Sequence, residues 1–122
     1  MQNFRQLSVW QKSHKLTLFI YNVTGTFRKD ERFGLTSQLR RASSSIAANI
    51  AEGCGRSTRI EFRRVLDLAM GSASEVEYFL LLACDLGLIT AVSYGPAEKN
   101  IIEIKRMLAG FIETLRRASA KN

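Results

Sequence analysis

Arg56, Arg59 and Arg63 follow one another at intervals of three and four, with Arg64 alongside. On a helix that spacing gathers the guanidinium groups on one face. Each guanidinium is a rigid fork of N–H donors that matches a phosphate bidentately, so the chemistry on offer is polyanion binding. Arg40–Arg41 forms an earlier dyad, and Lys105–Arg106 and Arg116–Arg117 add two more. A basic patch at one end of a helical assembly is therefore expected from these residues. One alternative stays open: half of these arginines could be neutralised by Glu52, Glu61, Asp67 and Glu75. No aromatic residue interleaves with the dyads, which points to backbone contacts and away from base stacking.

Other reactive side chains do not assemble into a catalytic set. Ser43, Ser44 and Ser45 have no histidine at a predictable spacing to activate them, so they read as packing residues. His14, the one histidine, lies on an apolar stripe and is expected to be a hydrogen-bonded structural residue. GCGRS at 53–57 lacks both the preceding strand and the lysine of a phosphate-binding loop. Cys54 and Cys84, 30 residues apart with a single histidine, cannot form a standard zinc site and read as free thiols. Glu75 shares a stripe with Leu68, Ser72, Phe79 and Leu82, so its carboxylate is expected to be largely buried. Breaking a buried ion pair costs about 3–5 kcal/mol. Arg40 or Arg41 is therefore expected to partner Glu75, with Glu52 and Asn49 nearby, as a structural pair setting helix register rather than a catalytic acid. No enzyme, metal or cofactor is expected.

Four amphipathic segments must position these groups. Residues 3–26 carry two adjacent stripes, Leu7, Trp10, His14, Leu18, Tyr21 and Leu16, Ile20, Val23, Phe27, which predict a wide buried face. The connector FRKDERFG leads to a second helix over 36–52, with Thr36 as N-cap and Leu35, Leu39, Ala42, Ile46 and Asn49 as its seam. A third helix over 58–86 carries a fully apolar stripe from Phe62 to Ala83. Beside it runs a second stripe, from Val65 through Leu68, Ser72, Glu75, Phe79 and Leu82 to Leu86. Gly87 is suited to end that helix. ITAVSYGP reads as a turn, and Pro96 suits the first turn of a fourth helix over 96–119. There, Lys99–Glu103 and Glu113–Arg117 are expected as i,i+4 pairs on a solvated face.

Connectors this short join antiparallel neighbours, so the fold class is all-α: one domain, 1–122, forming an up-down-up-down four-helix bundle. Small residues crowd the middle, with Ala47 and Ala48 on the second helix and Gly71, Ser72 and Ala73 on the third. A mid-helix glycine costs about 1 kcal/mol relative to alanine, so Gly71 asks for a reason, and close backbone approach supplies one. The third helix has more apolar surface than one core absorbs, Phe79 included, which predicts self-association.

At 122 residues the chain can bury a core without a metal or disulfide. Its net charge of +7 belongs mainly to the first half, where ten Lys/Arg face four Asp/Glu. That balance is compatible with RNA or DNA. The apolar run 16–23 is too short to span a bilayer, and a cytoplasmic protein without a membrane role is expected.

LTSQLRRASSSIAANIAEGCGRS and the following EFRRVLDLAMGSASEVE closely resemble the four-helix bundle proteins encoded by intervening sequences within bacterial 23S rRNA genes. LSVWQKSHKLTLFIYNVTGTF and IKRMLAGFIETL resemble the family's two ends. Arg28 and Ala47 stand where family members often carry proline, so a less kinked second helix is expected. The resemblance implies a homo-oligomer, typically a pentamer. It further implies binding of nucleic acid, RNA or DNA, through a basic surface, and a role beside a nucleic-acid-processing protein. Carried onto this chain, the contacts would be Arg40, Arg41, Arg56, Arg59, Arg63 and Arg64. The competing expectation is a protein-interaction scaffold whose arginines are internally paired.

Overall fold

Local chemistry sets where each helix starts and stops. In the computed structural model, which describes residues 2–120, the helices are α1 (Ser8–Thr24), α2 (Leu35–Cys54), α3 (Arg59–Asp85) and α4 (Ala91–Ala120). Short 3-10 turns at Phe4–Gln6 and Lys29–Glu31 precede α1 and α2. Thr58 caps α3: its hydroxyl accepts the Glu61 N–H at 3.1 Å and faces the Glu61 carboxylate at 3.3 Å. The far end of α3 closes through Gly87 at φ +75°. There the Gly87 N–H bonds the Cys84 carbonyl at 3.0 Å and the Leu88 N–H bonds that of Ala83 at 2.9 Å. Glycine adopts this left-handed conformation without a Cβ penalty.

Three helix starts differ from the sequence expectation. The first helix, expected over 3–26, begins only at Ser8 and ends at Thr24, because Asn3 caps a separate 3-10 turn, its side-chain oxygen accepting the Arg5 N–H at 3.1 Å. Thr36 is buried inside α2 rather than capping it. The Glu31 carboxylate instead accepts the Leu35 N–H at 3.2 Å, because a charged acceptor at the positive helix end displaces a neutral hydroxyl. Helix α4 begins five residues before Pro96, at Ala91, so ITAVSYGP is largely helical. The Thr90 hydroxyl accepts the Ser93 N–H at 3.2 Å and fixes this start. Proline is tolerated so near the end because its missing N–H frees only the carbonyl of solvent-exposed Val92. Gly95, with no Cβ, removes part of the clash with the proline ring.

Sequential helices pack as neighbours and α4 closes back on α1, giving an antiparallel four-helix bundle with no strand among the described residues. Helix α2 runs unbroken through Ala47. Its core is aliphatic: Leu16, Ile20, Leu39, Ile46, Ile50, Leu66, Leu80, Ile101, Ile104 and Leu108 are all fully buried. Burying each such side chain contributes about 1.5–3 kcal/mol. Hydroxyls inside the core bond backward along their own helices, Ser13 to the Val9 carbonyl at 2.7 Å and Thr24 to that of Ile20 at 2.6 Å. Thr17 reaches across to the Ser43 carbonyl at 3.1 Å and ties α1 to α2.

Three expected placements are corrected. On α1 the buried line is Val9, Ser13, Leu16, Ile20 and Thr24, so Leu18 and Tyr21 are exposed. His14 is exposed too and stacks on Trp10 with ring centroids 4.9 Å apart. The helix buries a narrower face, because small hydroxyl residues that bond their own backbone can enter the core. Gly71 lies on the outer face of α3, where an added Cβ would meet nothing within 4 Å. Close approach falls instead at Gly53, where a Cβ would sit 2.6 Å from the ring of Phe62.

Candidate nucleic-acid interface

The antiparallel course of the helices divides the six singled-out arginines between opposite ends of the bundle. Arg40 and Arg41 lie in the second turn of α2, beside the 25–34 connector. Arg56, Arg59, Arg63 and Arg64 lie at the α2–α3 turn and the start of α3. From Arg41 to Cys54 alone, α2 rises by about 20 Å. Salt screens charges beyond about 8 Å at physiological ionic strength, so these are two separate positive regions. A single patch at one end, expected from sequence, is not formed within one chain.

At the α3 end, Arg56 pairs with Glu52 one helical turn back. Arg59, Arg63 and Arg64 have no carboxylate within ion-pair distance among the described residues. Arg59 and Arg64 are exposed and Arg63 is half-buried. Glu61, which could have served them, is turned back into the Thr58 cap. Arg59 sits in the first turn, at the positive end of the α3 dipole, where a cation destabilises a helix, and Arg63 and Arg64 follow one turn further along. A cleft of about 320 Å³ opens here, with Arg56, Thr58 and Arg59 at its rim and Phe62 and Phe111 in its floor.

The other end is built differently. Arg40 donates from Nε to the Thr24 hydroxyl at 2.8 Å and from a terminal nitrogen to the Tyr21 carbonyl at 3.2 Å. Its guanidinium carbon lies 4.8 Å from the Tyr21 ring centroid. Arg41 bonds Gln38 at 2.8 Å. Glu75 is exposed on α3 and pairs with neither arginine, which corrects the expected buried ion pair. The reason is angular: Glu75 lies beside Gly71 and Tyr78 on the outward face of α3, whereas Arg40 turns towards α1. Asn49 bonds Ser45, and Ser72 reaches the same Ser45 hydroxyl at 2.9 Å, so neutral groups fix the α2–α3 register. Around Arg40 and Arg41 a cleft of about 380 Å³ is lined also by Tyr21, Arg32, Phe33, Thr36 and Ser37. Phe33 is 88% exposed, with the Arg32 guanidinium 5.3 Å from its ring centroid. Sequence reasoning missed these rings, since one aromatic comes from α1 and the other from the connector. Phe33 set among charges in FRKDERFG was the available signal.

The remaining basic dyads are largely neutralised. Arg106 pairs with Glu103, displacing the expected Lys99–Glu103 contact, and Arg116 and Arg117 both bond Glu113. Those two guanidinium groups hold the Glu113 carboxyl below its ordinary range. Lys105 reaches across to Glu77 of α3 at 2.8 Å. The small and apolar residues divide by face: Ala47 and Ala73 are buried, Ser72 and Phe79 half-buried, and Ala48 and Gly71 exposed. Leu68 on the second stripe of α3 and Leu86 just past its end are 62% and 50% exposed. Cys54 and Cys84 are free thiols, and burial pushes that of Cys54 upward in pKa. Among the described residues no helix is long and apolar enough to cross a membrane, and no cluster of metal-ligating side chains occurs.

The chain is similar to a crystal structure described as a protein of unknown function from the S23 ribosomal protein family of Bacteroides thetaiotaomicron VPI-5482. The two share 30% identity over 85% of this chain and 97% of that one, with a TM-score of 0.80. No curated protein matches. The family model described as 23S rRNA-intervening sequence protein matches residues 5–110, which takes in all of α1, α2 and α3 and most of α4. The chain belongs to the 23S rRNA-intervening sequence protein family.

Proposed function

We propose that this protein is a non-catalytic, homo-oligomeric four-helix bundle of the cytoplasm that binds the backbone of RNA or DNA through its arginines. The observation that carries the reading is the cluster Arg59, Arg63 and Arg64, three cations without a carboxylate at the positive end of α3. Mutual repulsion among these cations, with Arg59 in the first turn of the helix, is relieved when a phosphate arrives. Self-association follows from the exposed apolar line on α3, with Leu68 and Leu86 at its ends and Gly71 on the same outward side. Family resemblance makes a pentamer the natural assembly, with a nucleic-acid-processing protein as a further partner. The alternative, a protein-interaction scaffold with internally paired arginines, draws support from the Arg56–Glu52 pair and from the internal hydrogen bonds of Arg40 and Arg41.

Fluorescence anisotropy with labelled duplex and single-stranded oligonucleotides tests the reading. Log affinity should fall linearly with log salt, with a slope of about −0.9 per neutralised phosphate on duplex DNA. Replacing Arg59, Arg63 and Arg64 together by alanine should weaken binding across all sequences and flatten that slope by up to about three. Absence of binding to RNA and DNA of either form at low salt would falsify it.

A further inference from the structure

The cleft beside the 25–34 connector has a composition that a backbone-only site does not require. Arg32, Arg40 and Arg41 line it and no carboxylate does. The two nearby acids are occupied elsewhere, Asp30 facing Arg28 at 3.6 Å and Glu31 accepting the Leu35 N–H. Two aromatic rings border the same space. Phe33 is almost fully exposed, and Tyr21 is 47% exposed. Each ring has a guanidinium near it, Arg32 at 5.3 Å and Arg40 at 4.8 Å. An exposed phenylalanine contributes nothing to the core of this bundle, so its position asks for a ligand with a flat apolar face. Three cations without an acid ask for an anion. A nucleotide unit in a single strand combines the two, because its base is unstacked and its phosphates flank it at short range. In a duplex the base faces are covered by their neighbours and cannot meet Phe33.

We infer that this cleft is a single-strand docking site, in which a base stacks on Phe33 and the adjoining phosphates meet Arg32 and Arg41. The inference rests on the nucleic-acid reading above and names the form of nucleic acid that this end of the bundle takes. Arg40 is a positioning residue: its bonds to Thr24 and the Tyr21 carbonyl hold it in place as one wall of the cleft. The rings beside the α3 cluster, Phe62 and Phe111, are buried and half-buried, so that cluster offers no open stacking face and serves either strand form.

The test compares wild type, Phe33→Ala, Phe33→Trp and Arg59→Ala on a single-stranded oligonucleotide carrying 2-aminopurine and on a duplex of the same length. Phe33→Ala should weaken single-strand binding by about 5- to 150-fold, the range that loss of one base–aromatic contact gives. It should also abolish the 2-aminopurine quenching and leave duplex affinity within about twofold. Phe33→Trp should restore both affinity and quenching. Arg59→Ala should weaken both strand forms alike and keep the quenching. Unchanged single-strand affinity and quenching in Phe33→Ala overturns the site while leaving backbone binding in place. Failure of wild type to bind either form overturns both readings. Preference of the cleft for a phosphotyrosine peptide over the oligonucleotide, lost in Phe33→Ala, assigns it to a protein ligand and overturns the single-strand site.

Discussion

Gly53 and Gly71 are both glycines within helices, yet their neighbours make them opposite cases. A Cβ at Gly53 would lie 2.6 and 2.7 Å from two ring carbons of Phe62. That ring packs edge-on against Phe111 with centroids 5.1 Å apart, so withdrawing from a new Cβ would break that contact. Gly53→Ala should therefore lower stability by about 1–3 kcal/mol in urea denaturation. At Gly71 nothing opposes a Cβ, and Gly71→Ala should raise the stability of the isolated subunit by about 0.5–1 kcal/mol. Tyr94 offers a pH-dependent check. Its hydroxyl donates to Glu98 at 2.8 Å, and burial together with that carboxylate pushes its pKa from 10.0 up to about 12. A pKa raised on folding stabilises fully below pH 10 and progressively less as pH climbs to about 12. In an alkaline absorbance titration, a late phase near pH 12 should appear, and Tyr94→Phe should remove it. Absence of that late phase in the wild type would mean that the Tyr94–Glu98 contact does not persist in solution.

At the scale of elements, the helices were legible because hydrophobic period and capping chemistry agree. The apolar stripes of α3 and α4 are buried from Phe62 to Ala83 and from Ile101 to Leu115 with Phe111 partly exposed, and the Thr58 cap and the Gly87 stop fall where the local residues place them. Thr58→Ala removes the acceptor for the Glu61 N–H and should cost about 1 kcal/mol, measured as a shift in denaturation midpoint with unchanged slope. It should also free Glu61, which lies one turn before Arg64 and can then pair with it, and so should weaken nucleic-acid binding in the anisotropy assay. The misplaced starts of α2 and α4 share one cause. Glu31 caps α2 from outside the helix, and α4 accommodates Pro96 six residues in, so each depended on a neighbour outside the periodic segment.

At the scale of the whole molecule, the bundle has an aliphatic interior and an outward face on α3 that is partly apolar. Leu68 at 62% and Tyr78 at 57% exposure flank Gly71 on that face. In an oligomer this face would be covered, and the absent side chain at Gly71 would let a second backbone come close. Leu68→Glu is therefore expected to shift the sedimentation profile towards single subunits without changing helix content by circular dichroism. Gly71→Ala should show the same shift despite its more stable subunit. A wild-type protein that sediments as one subunit at micromolar concentration would remove the assembly from the account and leave the arginine sites as they are.

Composition and period by themselves determined the class of fold, the number of helices and the identity of most of the core, because a helix buries whatever its 3.6-residue repeat brings to one side. Family membership was likewise legible in the contiguous runs around NIAEG and GSASE. The tertiary structure alone decided the pairing of charges and the composition of the clefts. Arg40 and Glu75 each sit on a helix, but which way each faces depends on how α2 and α3 are rotated about their own axes. Tyr21 and Phe33 are 12 positions apart in sequence and converge only because the connector folds back over the end of the bundle. Long-range juxtaposition of this kind has no local period, so it appears only once the helices have packed.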